Sequence, residues 1–269
     1  MATDFNLQAQ GVNRYSTLTD PRYWNQIGPF GGWLAALAGV AMERGAPAGW
    51  TMKSISLNFL GRVPAGRVEI DIEPLRVQRR IAALRATMRP EGEATTAVTA
   101  EAIFAPAGAT TQAAALPRPS LPAPETLPRL DRLDALAAFV GTFDHRVAFG
   151  APFAQDRRAR SGGWVRSRLP LPRSPAGLLM LADAWYPPRW ATLSEPVPVS
   201  TVSMQVVFHE SCPGSPGLDG FFAACYQEDA QTDGFGLERG AIWWPDGRLA
   251  LTMQQLTWVG STQHGKEKR

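Results

Sequence analysis

The sequence predicts an α+β protein made of two tandem units, in each of which an antiparallel sheet wraps one buried helix. Two segments, near 32–44 and 177–186, are apolar on nearly every side, as is typical of helices buried inside a domain. Each is followed by alternating segments that turn residues separate, the pattern of antiparallel strands. The order of elements in the second half repeats that of the first, which indicates duplicated units.

The first unit opens with two short candidate strands, 13–18 and 22–27, before its helix from about Gly32 to Arg44. Gly45 and Pro47 end this helix, as a glycine cap and a following proline commonly do. Four further segments are expected to form strands, at 52–60, 68–77, 81–88 and 94–104.

A segment rich in Ala, Thr and Pro then separates the two halves, and its composition predicts a disordered linker that is stiff where prolines cluster. The expected organisation is an N-terminal unit at 1–105, a linker at 106–128, a C-terminal unit at 129–260 and a tail at 261–269.

The second unit begins with a possible short helix at 129–139 and candidate strands at 143–149 and 163–169, ahead of its buried helix. Four strands are expected to close the unit, at 199–208, 220–228, 236–244 and 248–258. The best local match aligns 54–59 with 201–206, where polar and apolar residues alternate alike at all six positions. This alignment makes Ser54 the expected equivalent of Thr201.

Composition excludes several classes of protein. The 269 residues are 45% apolar, and the net charge of +3 comes mainly from scattered arginines, which argues against a dedicated nucleic-acid binder. The sequence shows neither a signal core nor an apolar run long enough for a membrane span, and it has two isolated cysteines, so we expect a cytoplasmic location. Its three histidines lie far apart in sequence. We therefore expect no metal site and no cofactor.

Asp183 is the one charged residue of the second apolar segment. A buried carboxylate is costly unless other groups hydrogen-bond to it. One interpretation is that Asp183 caps the end of its helix before Pro187. The other is that it is a functional acid, because the next strand, 199–208, carries hydroxyl and amide side chains.

Four motifs occur in a fixed order, and their order is more specific than any one of them: GPFGGWLAALAGVAM (28–42), LADAWYPP (181–188), STVSMQVVFH (200–209) and DGRLALTMQQ (246–255). In these motifs the chain resembles the acyl-CoA thioesterase II family, and the resemblance implies a double hotdog fold. It also implies hydrolysis of fatty or related acyl-CoA to free acid and CoA. By this resemblance the residues that hold the attacking water are Asp183, Thr201 and Gln254.

The chemistry of these residue types agrees with that role. A carboxylate in an apolar pocket has a raised pKa and is a better base near neutral pH, while a hydroxyl and an amide can orient one water. Gln255 is the rival of Gln254, because neighbouring residues of a strand face opposite sides. Gly31 and Gly32 are candidate oxyanion or substrate-binding donors at a helix N-terminus, or else they allow helix–sheet packing.

Arginines could contact the CoA phosphates or form a solvated surface; the candidates are Arg76, Arg79, Arg80, Arg157, Arg158 and Arg160. The first helix has no acid before Glu43, so we expect one active site per chain. We also expect the chains to form a homo-oligomer. Two other functions stay open: a non-catalytic acyl-CoA or lipid binder, and an acyl-CoA hydratase or dehydratase, which would need a His near the Asp.

Overall fold

The computed structural model describes residues 5–108, 116–131, 133, 136–209 and 218–260. Its two α-helices are α1 (Gly31–Gly45) and α2 (Pro175–Ala182). The strands are, in chain order, β1 (Gln8–Gly11), β2 (Arg14–Leu18), β3 (Trp50–Phe59), β4 (Arg67–Val77), β5 (Ala82–Pro90), β6 (Val98–Pro106), β7 (Phe143–Phe149), β8 (Arg160–Ser167), β9 (Val199–Phe208), β10 (Phe222–Thr232), β11 (Phe235–Trp243) and β12 (Leu249–Val259).

Within the described residues these strands form one antiparallel sheet in the order β1-β2-β4-β5-β6-β3-β9-β12-β11-β10-β8-β7. The order is the same when it is followed inward from either end of the sheet. The counterparts of β1, β2, β4, β5, β6 and β3 are then β7, β8, β10, β11, β12 and β9. The two halves meet where β3 pairs with β9, and Ser56 stands opposite Gln205 at the centre of that pairing. The predicted architecture of two like units, joined edge to edge, is confirmed.

The two helices pack against each other and lie on the same side of the sheet as the main core. Gly39 of α1 permits their close approach, because a Cβ there would lie 2.9 Å from the Cβ of Ala176. Neither helix carries an amphipathic pattern, and all eight residues of α2 are buried. A helix that is apolar all round needs such an enclosure on every side.

Two smaller predictions were wrong. Residues 22–27 are not a strand, because Pro21–Tyr23 form a 3-10 turn that the Asp20 side chain caps by accepting from the backbone N–H of Arg22. None of the described residues between 129 and 137 is helical. Instead Arg129 forms an isolated β-bridge with Arg146 on the edge strand.

Two matching β-bulges decide which residues of the halves are equivalent. In β3, Met52 and Ser54 pair with consecutive residues of β6, which leaves Lys53 as an extra residue. In β9, Thr201 and Ser203 pair with consecutive residues of β12 in the same way. Such a bulge shifts the side chains before it to the other face of the sheet. Thr201 is therefore equivalent to Met52, and the alignment with Ser54 was wrong by two residues.

The second part of the linker is ordered against the C-terminal half. The indole N–H of Trp164 donates to the carbonyl oxygen of Pro122 at 2.8 Å, and that of Trp243 donates to Leu116 at 2.9 Å. Leu121 packs on the same small apolar cluster. The expected disorder is therefore wrong for 116–128, because buried indoles need acceptors and this segment supplies them. Residues 109–115 and the tail 261–269 lie outside the described residues.

Candidate active site

Asp183 connects the two central helices. It is the C-cap residue of α2, with φ −105° and ψ 5°. Its carboxylate Oδ2 accepts a hydrogen bond from the backbone N–H of Gly32, the second residue of α1, at 2.7 Å. The first N–H groups of a helix have no partner within the helix and carry positive potential, which favours an anion there. The backbone of Asp183 therefore ends α2, while its carboxylate accepts a hydrogen bond from the N-terminus of α1.

The glycine pair at the start of α1 makes room for this acid. A Cβ on Gly31 would lie 2.8 Å from Asp183 Oδ2 and 3.2 Å from the ring of Phe59. A Cβ on Gly32 would lie 3.0 Å from the Cβ of Asp183. The N–H of Gly32 is bonded to Asp183 in this arrangement, so a contact of Gly32 with a substrate oxyanion stays a prediction. The close approach of Asp183 explains Gly31, while a Cβ on Gly32 would meet the ring of Phe30 at 2.5 Å as well as Asp183.

Burial raises the pKa of Asp183 to about 7, although the hydrogen bond from Gly32 opposes the rise. Tyr226 lies near this acid and donates its hydroxyl to the carbonyl oxygen of Ala182 at 2.8 Å. Burial raises the pKa of Tyr226 well above its usual value, and the charge of Asp183 adds to the rise. A carboxyl group with a pKa near 7 is half ionised at neutral pH and suited to act as a general base.

A chain of polar side chains crosses three strands of the same half. Thr201 of β9 donates its hydroxyl to Oε1 of Gln255 on β12, with 3.2 Å between the oxygens. Nε2 of Gln255 in turn donates to Oε2 of Glu238 on β11 at 2.8 Å. Thr201 lies on the inner face because the bulge after it reverses the alternation, as its pairing with the buried Thr257 shows.

Gln254 is not part of this chain. It is exposed, on the opposite face of β12 from Gln255, and its backbone pairs with Gln205 and Arg239. The prediction that Gln254 stands beside Thr201 was therefore wrong in position, and the rival residue Gln255 occupies that place. Strand alternation separates the two glutamines, and the sequence alone did not establish which of them faces inward.

Glu238 was missed in the sequence. It is 1% exposed, and its Oε1 has no hydrogen-bond partner among the described residues. Burial raises its pKa to about 7; the hydrogen bond from Gln255 lowers the pKa, and the charges of Glu228 and Asp183 raise it further. The alternation of side chains along a strand could have predicted its burial, because Glu238 faces the same side of the predicted strand 236–244 as the apolar Ile242.

A second buried acid lies beside Glu238 on the neighbouring strand. Glu228 of β10, with 4% of its side chain exposed, forms a two-pronged ion pair with Arg189, whose Nε lies 2.9 Å from Oε2. Arg189 belongs to the turn Pro188–Thr192 that follows Asp183. This ion pair ties the segment after the candidate base to the sheet.

His145 of β7 also lies near this segment. Its Nε2 is 2.9 Å from the carbonyl oxygen of Ala184. A carbonyl only accepts, so Nε2 carries the proton and the ring donates to the backbone. The six arginines considered for the CoA phosphates are all exposed.

Comparison with known proteins identifies the family of this chain. Family models of the acyl-CoA thioesterase N-terminal and C-terminal domains match residues 20–105 and 113–259. The chain belongs to the acyl-CoA thioesterase family. It is a thioester hydrolase. A search of curated proteins found no match. None of the helices in the described part of the chain is long and apolar enough to span a membrane.

Solved structures share the double hotdog fold of this thioesterase. A hotdog-fold protein of unknown function from Alicyclobacillus acidocaldarius is 25% identical, with a TM-score of 0.85 over 96% of this chain and 97% of that one. A putative thioesterase II from Thermobifida fusca is 22% identical, with a TM-score of 0.82 over the same shares. The acyl-CoA thioesterase II TesB2 from Mycobacterium marinum is 19% identical, with a TM-score of 0.76 over 97% and 98%.

Proposed function

We propose that this thioesterase hydrolyses fatty or related acyl-CoA to the free acid and CoA, with the attacking water held by Asp183 and Thr201 and with Gln255 orienting the Thr201 hydroxyl. The observation that carries the proposal is the Asp183 carboxylate, which rests on the N-terminus of α1 with a pKa of about 7. Gln255 replaces Gln254 in this proposal, because it is the glutamine that contacts Thr201.

In the proposed reaction Asp183 is the general base. It takes one proton from the water while the water oxygen bonds to the carbonyl carbon of the thioester. The tetrahedral intermediate then collapses, the carbon–sulfur bond breaks, and the proton passes from Asp183 to the CoA thiolate. Protonation of the sulfur leaves free acid and free thiol and returns the base to its ionised form.

Negative charge on the carbonyl oxygen would be stabilised by the positive potential at the start of α1. Within the glycine pair, the N–H of Gly31 is the candidate donor, because that of Gly32 is bonded to Asp183. Gly31 is the first residue of its helix, so its N–H has no acceptor within that helix.

The test is thiol release from a panel of acyl-CoAs by the parent and by Asp183→Asn. The asparagine oxygen can still accept from Gly32, so the shape is kept while the base is lost. A positioned general base contributes about 10²–10⁴-fold, and kcat should fall by about that range with little change in KM.

Glu43→Gln is the matched control, because it also neutralises a partly buried carboxyl that accepts from a helix N–H. Its kcat should stay within about twofold of the parent, since Glu43 lies in the other half. A parent that binds acyl-CoA and releases no thiol would instead support a binding protein. Hydration of an enoyl-CoA without thiol release would support a hydratase.

A further inference from the structure

Glu238 is buried where the fold does not require a charged residue. The pairing of β5 with β6 and of β11 with β12 makes Leu84 of the first half its equivalent. Leu84 is also 1% exposed, so an apolar side chain packs well at this position. Replacing a buried charge by a packed apolar residue is often neutral or stabilising. Packing therefore does not explain a carboxyl group at this position. The hydrogen bond from Gln255 to Glu238 is the contact that explains it.

We infer that Glu238 is a positioning residue, which fixes the amide of Gln255 and thereby the direction in which the Thr201 hydroxyl points; the inference rests on the function proposed above. An ionised carboxylate only accepts, so the amide must turn its NH₂ group toward Glu238, 2.8 Å away. The amide oxygen then faces Thr201, which donates its one proton to it. The lone pairs of the Thr201 oxygen stay free to accept.

This direction matters for the attacking water. A water that donates one proton to Asp183 and the other to Thr201 has its own lone pair free for the carbonyl carbon. If the amide of Gln255 were reversed, its NH₂ group would donate to Thr201. The hydroxyl proton would then turn to the water and bind one of its two lone pairs, which makes the water oxygen a weaker nucleophile. Glu238 thus determines whether Thr201 accepts a hydrogen bond from the attacking water or donates one to it.

Charged groups from three elements face Glu238: Glu228 on β10, Asp183 at the end of α2 and Arg189 in the turn after it. Tyr226 also lies near both acids, with a pKa raised well above its usual value, and stays neutral. Since burial raises the pKa of Glu238, its hold on the amide strengthens as it ionises near neutral pH. Activity should therefore rise with pH as Asp183 and Glu238 ionise near neutral pH.

The experiment combines Glu238→Gln and Gln255→Ala, alone and together, with Glu43→Gln as the control. An amide at 238 can present either its oxygen or its NH₂ group, so the orientation of Gln255 is no longer fixed. We expect Glu238→Gln to lower kcat by about 10–100-fold, the usual range for residues that orient an active group, with KM within about threefold. When Gln255 is already replaced by Ala, adding Glu238→Gln should lower kcat no further than Gln255→Ala does alone.

The side-chain amide signal of Gln255, assigned by its loss in Gln255→Ala, gives a second measurement that needs no activity. It should shift in Glu238→Gln and stay unchanged in Glu43→Gln. An unshifted signal, a kcat within about threefold of the parent, or an equal loss in both backgrounds would overturn the inference. A parent that releases no thiol contradicts the proposed function instead, and the amide signal then decides alone whether Glu238 holds Gln255.

Discussion

The two halves of this thioesterase place different residues at equivalent positions. Each half has an acid that accepts from the N–H of the second residue of the opposite helix: Asp183 from Gly32 at 2.7 Å, and Glu43 from Ala176 at 3.1 Å. Burial raises the pKa of both acids. The duplicated fold thus keeps a carboxyl at each helix N-terminus, although Glu43 belongs to a helix of 15 residues and Asp183 follows one of 8.

The strands around the two acids differ in polarity. In the second half the inner face of the sheet carries four polar residues: Thr201, Thr257, Gln255 and Glu238. Their equivalents in the first half are, in the same order, Met52, Phe104, Ala102 and Leu84. These four are buried and apolar, with at most 1% exposed. The same scaffold is therefore stable with an apolar set, and the polar set of the second half is the stronger candidate for function.

The comparison also explains why one site per chain is proposed. A carboxylate alone does not orient a water, because the water needs further polar partners at fixed positions. Glu43 has the helix N–H and the Ser174 hydroxyl beside it, but the strand positions of its half that are equivalent to Thr201, Gln255 and Glu238 are apolar. We therefore assign the chemistry to the second half and a structural role at the N-terminus of α2 to Glu43.

The largest effect is expected when the second half is made like the first. The triple variant Thr201→Met, Gln255→Ala and Glu238→Leu copies the equivalent residues and leaves Asp183 in place. We expect kcat to fall by roughly 10³-fold or more, because the base remains while the groups that orient the water are gone. Thiol release measures the loss, and a melting curve should show that the protein still folds. Activity within about tenfold of the parent would show that the polar set is dispensable.

The next effect separates the two neighbouring glutamines of β12. Gln255→Ala should lower kcat by about 10–100-fold, because it removes the partner of the Thr201 hydroxyl. Gln254→Ala is the matched control on the exposed face and should leave kcat within about twofold. The reverse result would return the catalytic role to Gln254.

A third prediction concerns pH and stability. The folded pKa of Asp183 is about 7, against an ordinary value of 3.8. A raised folded pKa means that the ionised form is disfavoured in the fold, so the parent loses stability as pH rises between these values. Asp183→Asn avoids that loss, and its advantage in unfolding free energy should grow from pH 4 to pH 8, to at most roughly 4 kcal/mol. Denaturant titrations at several pH values measure it, and a constant difference would contradict the raised pKa.

The smallest effect concerns the linker, whose second part lies on the C-terminal half. Trp164→Phe removes the hydrogen bond to Pro122 and should cost about 1 kcal/mol of unfolding free energy without changing kcat. Trp258→Phe is the control, since that ring is 42% exposed. Equal melting temperatures for the two variants would indicate that the linker contact contributes nothing to stability.

The sequence by itself determined the two helices, most of the strands and their duplication. Two segments that are apolar on every side had to be buried helices, and alternating segments after them had to be strands, because periodicity follows from backbone geometry. It also singled out Asp183, since a lone acid in an apolar helix is costly unless something holds it. The expectation of a double hotdog thioesterase came from the order of its motifs, and the family match agrees with it.

Tertiary structure alone decided which neighbours these residues have. The bulge at Val202 turned Thr201 inward and shifted the repeat by two residues, and a bulge depends on the pairing of two distant strands. The same pairing placed Gln255 rather than Gln254 beside Thr201. The N–H of Gly32 went to Asp183, 151 residues further along the chain, because helix packing brought the two together. Glu238 became a candidate site residue for the same reason, since its burial is set by the strands on either side of it.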